Sequence, residues 1–215
     1  MSNAIPILMY HSVSDEFDSS SVNSNQFLKQ MNLMKKLGYE TINLSDLNLN
    51  ESKKQFVITF DDGYFDVFKN AIPTLNKLNF KATIFIVSDF LNNNNNWDKN
   101  KNNYIKKTLM NDNQIVELIN KGHEIGSHTL NHIDLTTIND DELEKQIYKS
   151  KQNIEKRFNI KVVSFSYPYG SYNENVCDKV RNHYKFAVTT KRSRYKINKF
   201  SNHILPRVPI NSDTG

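Results

Sequence analysis

Two short stretches of the chain concentrate residues that do chemistry. The first is Thr59-Phe60-Asp61-Asp62-Gly63-Tyr64, where two carboxylates follow the apolar run Phe56-Val57-Ile58. Adjacent like charges repel, so this pair at the end of an apolar run asks for a counter-charge. The second runs from Gly122 to His132 and carries histidines four residues apart, at His128 and His132. That spacing lets both imidazoles face one metal ion if the chain coils after His128. Thr129 follows the first of the pair, where a metalloprotease would carry its glutamate base, so a base must come from elsewhere. If one aspartate is a third ligand and its neighbour a free base, the doublet divides into two tasks, and a cation beside both favours their ionised forms. Two imidazoles and one carboxylate with open positions describe a catalytic centre rather than a closed structural one. The competing reading of Asp61-Asp62-Gly63, taken alone, is a turn and helix cap.

The elements that must position these residues alternate along the chain. Short runs rich in Val, Ile, Phe and Tyr predict strands over 5–10, 56–60, 82–87, 123–127, 162–167, 186–189 and 204–209. Helical spacing predicts helices over 25–37, 67–78, 113–120, 140–158 and 173–183, with Gly38 and Gly122 as stops. Pro73 either bends the second helix or starts its main part. Strand and helix in alternation imply parallel strands with right-handed crossovers. The expected fold is α/β, a distorted and incomplete (β/α) barrel of about seven parallel strands, with an open doubly wound sheet as the alternative. In such barrels functional residues gather at the carboxyl ends of strands. His11, Asp61, Asp62, His128, Tyr169 and Gly170 all follow expected strands in that sense.

Bulk properties narrow the class. The chain has 215 residues, 38% hydrophobic and 24% charged, enough for one catalytic domain over 1–215 with either end open to truncation. The net charge of +5 comes from lysines scattered over Asn-rich loops and helix faces, and no nucleic-acid motif accompanies it. The lone Cys177 excludes an internal disulfide and reads as core filler. No run is long and apolar enough to be an integral membrane segment. No leader pattern is present either, which leaves open a cytoplasmic location and a secreted or cell-surface domain shorn of its leader. The segment 92–103 is Asn-rich and expected to be a loop; its Trp97 is either a sugar-stacking lid or an anchor for the loop.

The two stretches together with a third, Ser164-Phe165-Ser166-Tyr167-Pro168-Tyr169-Gly170, resemble the polysaccharide deacetylase family, carbohydrate esterases that remove acetyl groups from N-acetylated sugars. The resemblance spans nearly the whole chain. It implies a distorted (β/α) barrel, a divalent metal, most often zinc, and an N-acetylated glycan as substrate. It assigns Asp61 as general base and Asp62, His128 and His132 as metal ligands. The backbone N–H of Tyr169 would help hold the oxyanion, with Pro168, Tyr64 and Trp97 near the substrate. A centre of two imidazoles and one carboxylate also accepts cobalt, nickel, iron or manganese.

Two departures from the family pattern stand out. Ser166 occupies the place where many members carry an arginine before the Pro-Tyr pair. The last strand also lacks the Leu-x-His motif that supplies their general acid. A subgroup resembling exopolysaccharide (poly-N-acetylglucosamine) deacetylases instead starts with Tyr-His and ends with Leu-Pro-Arg. This chain has both, as Tyr10-His11 and Leu205-Pro206-Arg207. The resemblance therefore points to His11 as general acid and Arg207 as the cation that orients Asp61. Each also has a plain structural reading, as a core histidine and as an ion-pair partner. O-acetyl esterase action, hydrolysis of a non-sugar amide and non-catalytic glycan binding are the alternative functions.

Overall fold

The computed structural model describes residues 4–16, 20–47, 54–102, 104–196, 200–212 and 214. Seven parallel strands close on themselves: β1 (Ile7–Tyr10), β2 (Gln55–Phe60), β3 (Thr83–Ile86), β4 (Glu124–Ser127), β5 (Ser164–Ser166), β6 (Phe186–Arg192) and β7 (Leu205–Pro209). Each strand pairs with its neighbours in chain order. Closure is made by Val208 of β7 against Leu8 of β1, and by Ile7–Tyr10 of β1 against Val57–Phe60 of β2. This is a barrel, and the open doubly wound alternative is set aside.

The barrel is distorted in two places. Strands β4 and β5 share the single register pair Ser127–Phe165. Between β6 and β7 the register shifts from Val188–Leu205 to Arg192–Arg207. The expected strand over 5–10 is broken at Pro6, which has no N–H to give a ladder. Before the break, Ala4–Ile5 pairs antiparallel with Tyr195–Lys196. A short strand, Glu40–Thr41, also pairs with Gln55–Phe56 at the start of β2.

Every residue of β2 is buried, so the strand shows no simple alternation of exposure, yet it feeds two separate cores. Phe56, Ile58 and Phe60 face outward to the helices. Val57 belongs to the inner filling with Ile7, Phe85, Val188 and Leu205. Gly126 of β4 makes room for that filling, because a Cβ there would lie 2.5 Å from Phe85 Cδ1 and 3.0 Å from the Ser164 carbonyl. Burying each of these side chains stabilises the barrel by about 1.5–3 kcal/mol. Together they form a firm floor beneath the polar residues at the strand ends.

The helices are α1 (Ser24–Lys36), α2 (Ile72–Leu78), α3 (Asp112–Asn120), α4 (Asp140–Glu144 continued through a wide turn, Lys145–Lys149, into Ser150–Phe158) and α5 (Glu174–His183). Pro73 lies in the first turn of α2, after the wide turn Val67–Ala71, so it starts the regular helix and does not bend it. Asparagines do much of the punctuation. Asn23, Asn111, Asn139 and Asn173 cap the starts of α1, α3, α4 and α5 through their side chains. Asn79 and Asn159 end α2 and α4 in the left-handed conformation. Among the described residues no helix is long and apolar enough to cross a membrane.

Candidate active site

The β1–β2 ladder continues one residue past Phe60, since Asp61 N donates to Tyr10 O. Asp62 and Gly63 then both turn left-handed, with φ of 73° and 74°. This turn sends the two carboxylates to different partners. Asp61 meets Arg207, whose Nη1 and Nη2 each lie 2.7 Å from one carboxylate oxygen. Asp62 Oδ1 lies 3.4 Å from His128 Nε2 and 3.3 Å from His132 Nε2. The repulsive doublet of the sequence is thus two separately compensated charges.

His128 stands just past β4 and His132 ends the turn that follows. His128 Nδ1 donates to the Ser166 carbonyl at 2.7 Å, which fixes the tautomer and leaves Nε2 free to ligate. His132 is reached through two left-handed residues, Thr129 (φ 70°) and His132 itself (φ 59°), with Thr129 Oγ1 accepting from His132 N at 3.0 Å. Non-glycine residues with positive φ among the described ones are three asparagines plus Asp62, Thr129, His132 and Tyr169. Asparagine tolerates that region; the other four are all at this site, where strained backbone is held by its surroundings.

A divalent cation fits here. Donor atoms of Asp62, His128 and His132 lie within 4.8 Å of one another, all three residues are buried, and Asp62 Oδ1 has no hydrogen-bond partner among the described residues. Two imidazole nitrogens and one carboxylate oxygen suit zinc and its neighbours. Burial works against ionisation of Asp62, but the His128 and His132 imidazoles beside it prevail and hold it well below the usual carboxylate range. Burial likewise opposes charge on Asp61, and the Arg207 guanidinium outweighs it, so Asp61 is also lowered.

Around this centre, His11 Nε2 sits 3.9 Å from Asp61 Oδ2 with its side chain 30% exposed. His132 is flanked by two rings, Trp97 stacked at 5.0 Å and Tyr169 edge-on at 4.7 Å. Trp97 also packs edge-on against Phe90, and its Nε1 is buried without a partner among the described residues. Trp97 is thus packed down on both Phe90 and His132. Tyr169, with φ of 59°, is half exposed at the rim beside buried Pro168. Tyr64 is buried, and that burial, together with the Asp62 carboxylate near its hydroxyl, raises its pKa and keeps it protonated. Of the tyrosines next to these motifs, Tyr10 and Tyr167 are in the core, while Tyr172 is exposed.

Sequence reasoning passed over Ser166 as a gap in the family pattern. Its hydroxyl bonds both Asp61 Oδ2 (3.3 Å) and Arg207 Nη2 (3.2 Å), so Arg207 arrives from β7 where the pattern would place an arginine on β5. His123 is buried at the opposite end of β4, where its Nδ1 accepts from Ala82 N and its Nε2–H donates to Asn76. His203 bonds the Tyr184 carbonyl and is not part of the site.

The family model for polysaccharide deacetylase matches residues 48–186, a window that contains Asp61, Asp62, His128, His132 and Tyr169 but not His11 or Arg207. The chain is 30% identical over 194 residues to YxkH of Bacillus subtilis, provisionally named a polysaccharide deacetylase, covering 87% of this chain and 64% of that protein. It is 24% identical to the poly-beta-1,6-N-acetyl-D-glucosamine N-deacetylase of Staphylococcus aureus, over 96% of this chain and 73% of the relative. Among solved structures, the Streptococcus pyogenes deacetylase PplD in complex with acetate superposes with a TM-score of 0.83 at 26% identity, covering 99% of this chain and 95% of that one. The chain thus spans slightly less than two thirds of YxkH and most of the other two. With a closed seven-stranded barrel and a family model that matches well over half its length, the chain belongs to the polysaccharide deacetylase family.

Proposed function

We propose that the chain is a metal-dependent N-deacetylase that releases acetate from a polymer or precursor containing N-acetylglucosamine. The observation that carries this reading is the division of the aspartate doublet, with Asp62 on two imidazoles and Asp61 on a buried guanidinium. A bound divalent cation, zinc above all, would acidify water and polarise the acetamide carbonyl.

The chain's own residues supply the proton transfers. Asp61, kept ionised by Arg207, takes a proton from the attacking water as the new C–O bond forms. The backbone N–H of Tyr169 donates to the carbonyl oxygen as negative charge develops there. The C–N bond then breaks, and His11 Nε2 gives its proton to the departing nitrogen, leaving acetate and an amino sugar. A nitrogen leaving group needs that proton, and His11 is a partly exposed imidazole next to Asp61. The ring of Tyr169 is the rim surface offered to the sugar, with buried Pro168 supporting it from behind. Tyr64 and Trp97 would act from beneath, by packing on Asp62 and His132.

Acetate release from N-acetylglucosamine oligomers tests the reading. It should require added divalent metal after chelation and be abolished by Asp61→Asn. Faster release from O-acetylated sugars than from N-acetylated ones would replace the amide reading with an esterase. Full activity of the chelated protein would end the metal-dependent one.

A further inference from the structure

Next to His11 lies a largely buried polar cluster that the proposed reaction does not use. Ser12 Oγ donates to Asp66 Oδ2 at 2.6 Å and accepts from Lys107 Nζ at 2.7 Å and Ser21 Oγ at 2.9 Å. Lys107 Nζ also donates to Ser21 Oγ at 2.9 Å and stands 3.8 Å from Asp66 Oδ2. A lysine on two serines resembles the nucleophile-and-base pairing of covalent amidases. Here both hydroxyls are sealed, Ser12 at 0% and Ser21 at 2% exposure, so no acyl group can reach them.

The cluster joins three separate parts of the chain. Ser12 and Ser21 pair in the segment after β1, Asp66 follows β2, and Lys107 comes from the long excursion between β3 and α3. Its neighbours extend the same clamp: Asn70 Nδ2 donates to Val13 O at 2.7 Å, and Lys107 N donates to Asn95 Oδ1 at 2.8 Å. His11, by contrast, has no side-chain hydrogen bond to its ring among the described residues, and its 3.9 Å approach to Asp61 is too long for one. On the other side Tyr10 is fixed in the core, its hydroxyl donating to Gln30 at 2.9 Å. The ring of His11 is thus placed by the backbone on either side of it, and the clamp on Ser12 sets one of the two sides.

We infer that Lys107, Ser12 and Asp66 form a positioning clasp that holds His11 where it can protonate the departing nitrogen. This rests on the reading of His11 as general acid. Lys107, its side chain 10% exposed, is held by two buried hydroxyls and a partly exposed carboxylate, and this is stiff because moving any one partner leaves a largely desolvated charge unpaired. The clasp also couples the Asn-rich excursion to the acid side of the reaction, while Trp97 couples it to the metal side.

The test compares two substrates of opposite need. An N-acetylglucosamine oligomer must have its leaving nitrogen protonated, whereas 4-nitrophenyl acetate loses a stable phenolate without help. The readout is the ratio of kcat on the amide to kcat on the aryl ester in His11→Asn, Lys107→Met, Ser12→Ala and Lys107→Arg, with thermal unfolding as the folding control. The clasp predicts that Lys107→Met and Ser12→Ala lower the ratio about tenfold, short of the loss of a general acid itself. Amide KM should stay within about twofold, and Lys107→Arg should restore most of the ratio because it still donates to both serines. Equal losses on both substrates, or none, in folded Lys107→Met and Ser12→Ala while His11→Asn lowers the ratio would overturn the clasp alone. An unchanged ratio in His11→Asn would overturn the acid role of His11 and the clasp with it.

Discussion

Arg207 and Asp61, 146 residues apart in the chain, are joined by two parallel hydrogen bonds of 2.7 Å each. The remaining N–H groups of the guanidinium are also taken: Nε by the Thr189 carbonyl, Nη1 by Thr59 Oγ1 and Nη2 by Ser166 Oγ. Five donors meet five acceptors, in a side chain with no solvent exposure. The register shift between β6 and β7 falls at this point, between Val188 and Arg192, where Thr189 turns its carbonyl to Arg207.

Arg207→Lys therefore replaces a planar fork with a point charge that has three donors for five acceptors. The expected result is a drop in kcat of roughly 10–100-fold with KM little changed, since orientation of the base is lost rather than substrate binding. Arg207→Ala should also destabilise the fold by about 3–5 kcal/mol, because it strands the buried Asp61 charge. Steady-state kinetics on an N-acetylglucosamine oligomer and urea unfolding check the two parts. If Arg207→Lys kept wild-type kcat, the guanidinium would have no part in holding the base.

The two carboxylates should separate experimentally. Asp62→Asn removes the charged member of the ligand set and should lower bound metal far below one equivalent. Asp61→Asn should retain close to one equivalent of metal while losing about 10³-fold in kcat, in the range of a general base. Metal content after gel filtration and kcat on the same samples decide between them. Equal metal loss in both variants would mean that the doublet acts as a joint ligand.

Much of this site is readable in the sequence because its parts are contiguous. The doublet and the histidine pair each sit within a few residues at a strand end, and alternation of strand and helix orders the strands around the barrel. What is not readable depends on pairings across the chain. Lys107 and Ser12 are 95 residues apart, and nothing local in either marks the other as its partner. Arg207 is ordinary in its own stretch, and only the family resemblance connects it to Asp61. Ser166 was seen as a missing arginine, although a small hydroxyl is what leaves space for Arg207 to enter from β7. The segment 92–103 read as featureless because its asparagines repeat. In the fold Asn95 is buried and holds both Ile105 O and Lys107 N, a side-chain role that composition hides.

His123 gives the fold a defined response to acid. Burial, aided by Lys81, pushes its imidazole from 6.5 down to about 4, and its Nδ1 is occupied as an acceptor for Ala82 N. Between these values the unfolded chain binds a proton that the folded chain refuses, so stability falls as pH drops from 6.5 toward 4. The contribution is complete above pH 6.5 and reaches a loss of about 2 kcal/mol near pH 4.5. His123→Gln removes this proton uptake. Its disadvantage against the wild type at pH 7.5 should therefore shrink by that amount at pH 4.5, in urea unfolding of the chelated proteins. A constant difference across the range would show that His123 does not titrate with folding.

Trp97 tests what the excursion does for the metal. One face of its indole lies on His132, with ring centres 5.0 Å apart and planes 26° from parallel. A face covered in this way is not offered to a sugar, and the edge packs on Phe90. Such an aromatic contact is worth about 0.5–1.5 kcal/mol, or roughly 2–12-fold in an equilibrium constant. Trp97→Ala should therefore weaken metal binding by that factor, read by competition with a chromophoric chelator. At saturating metal, KM for the oligomer should move by less than about twofold, because uniform substrate binding is not what the ring supplies. Trp97→Phe, which keeps a ring for His132 to stack on, should recover most of the metal affinity. A large rise in KM with metal affinity untouched would instead make Trp97 a substrate-stacking lid, reached by a movement of the excursion away from His132.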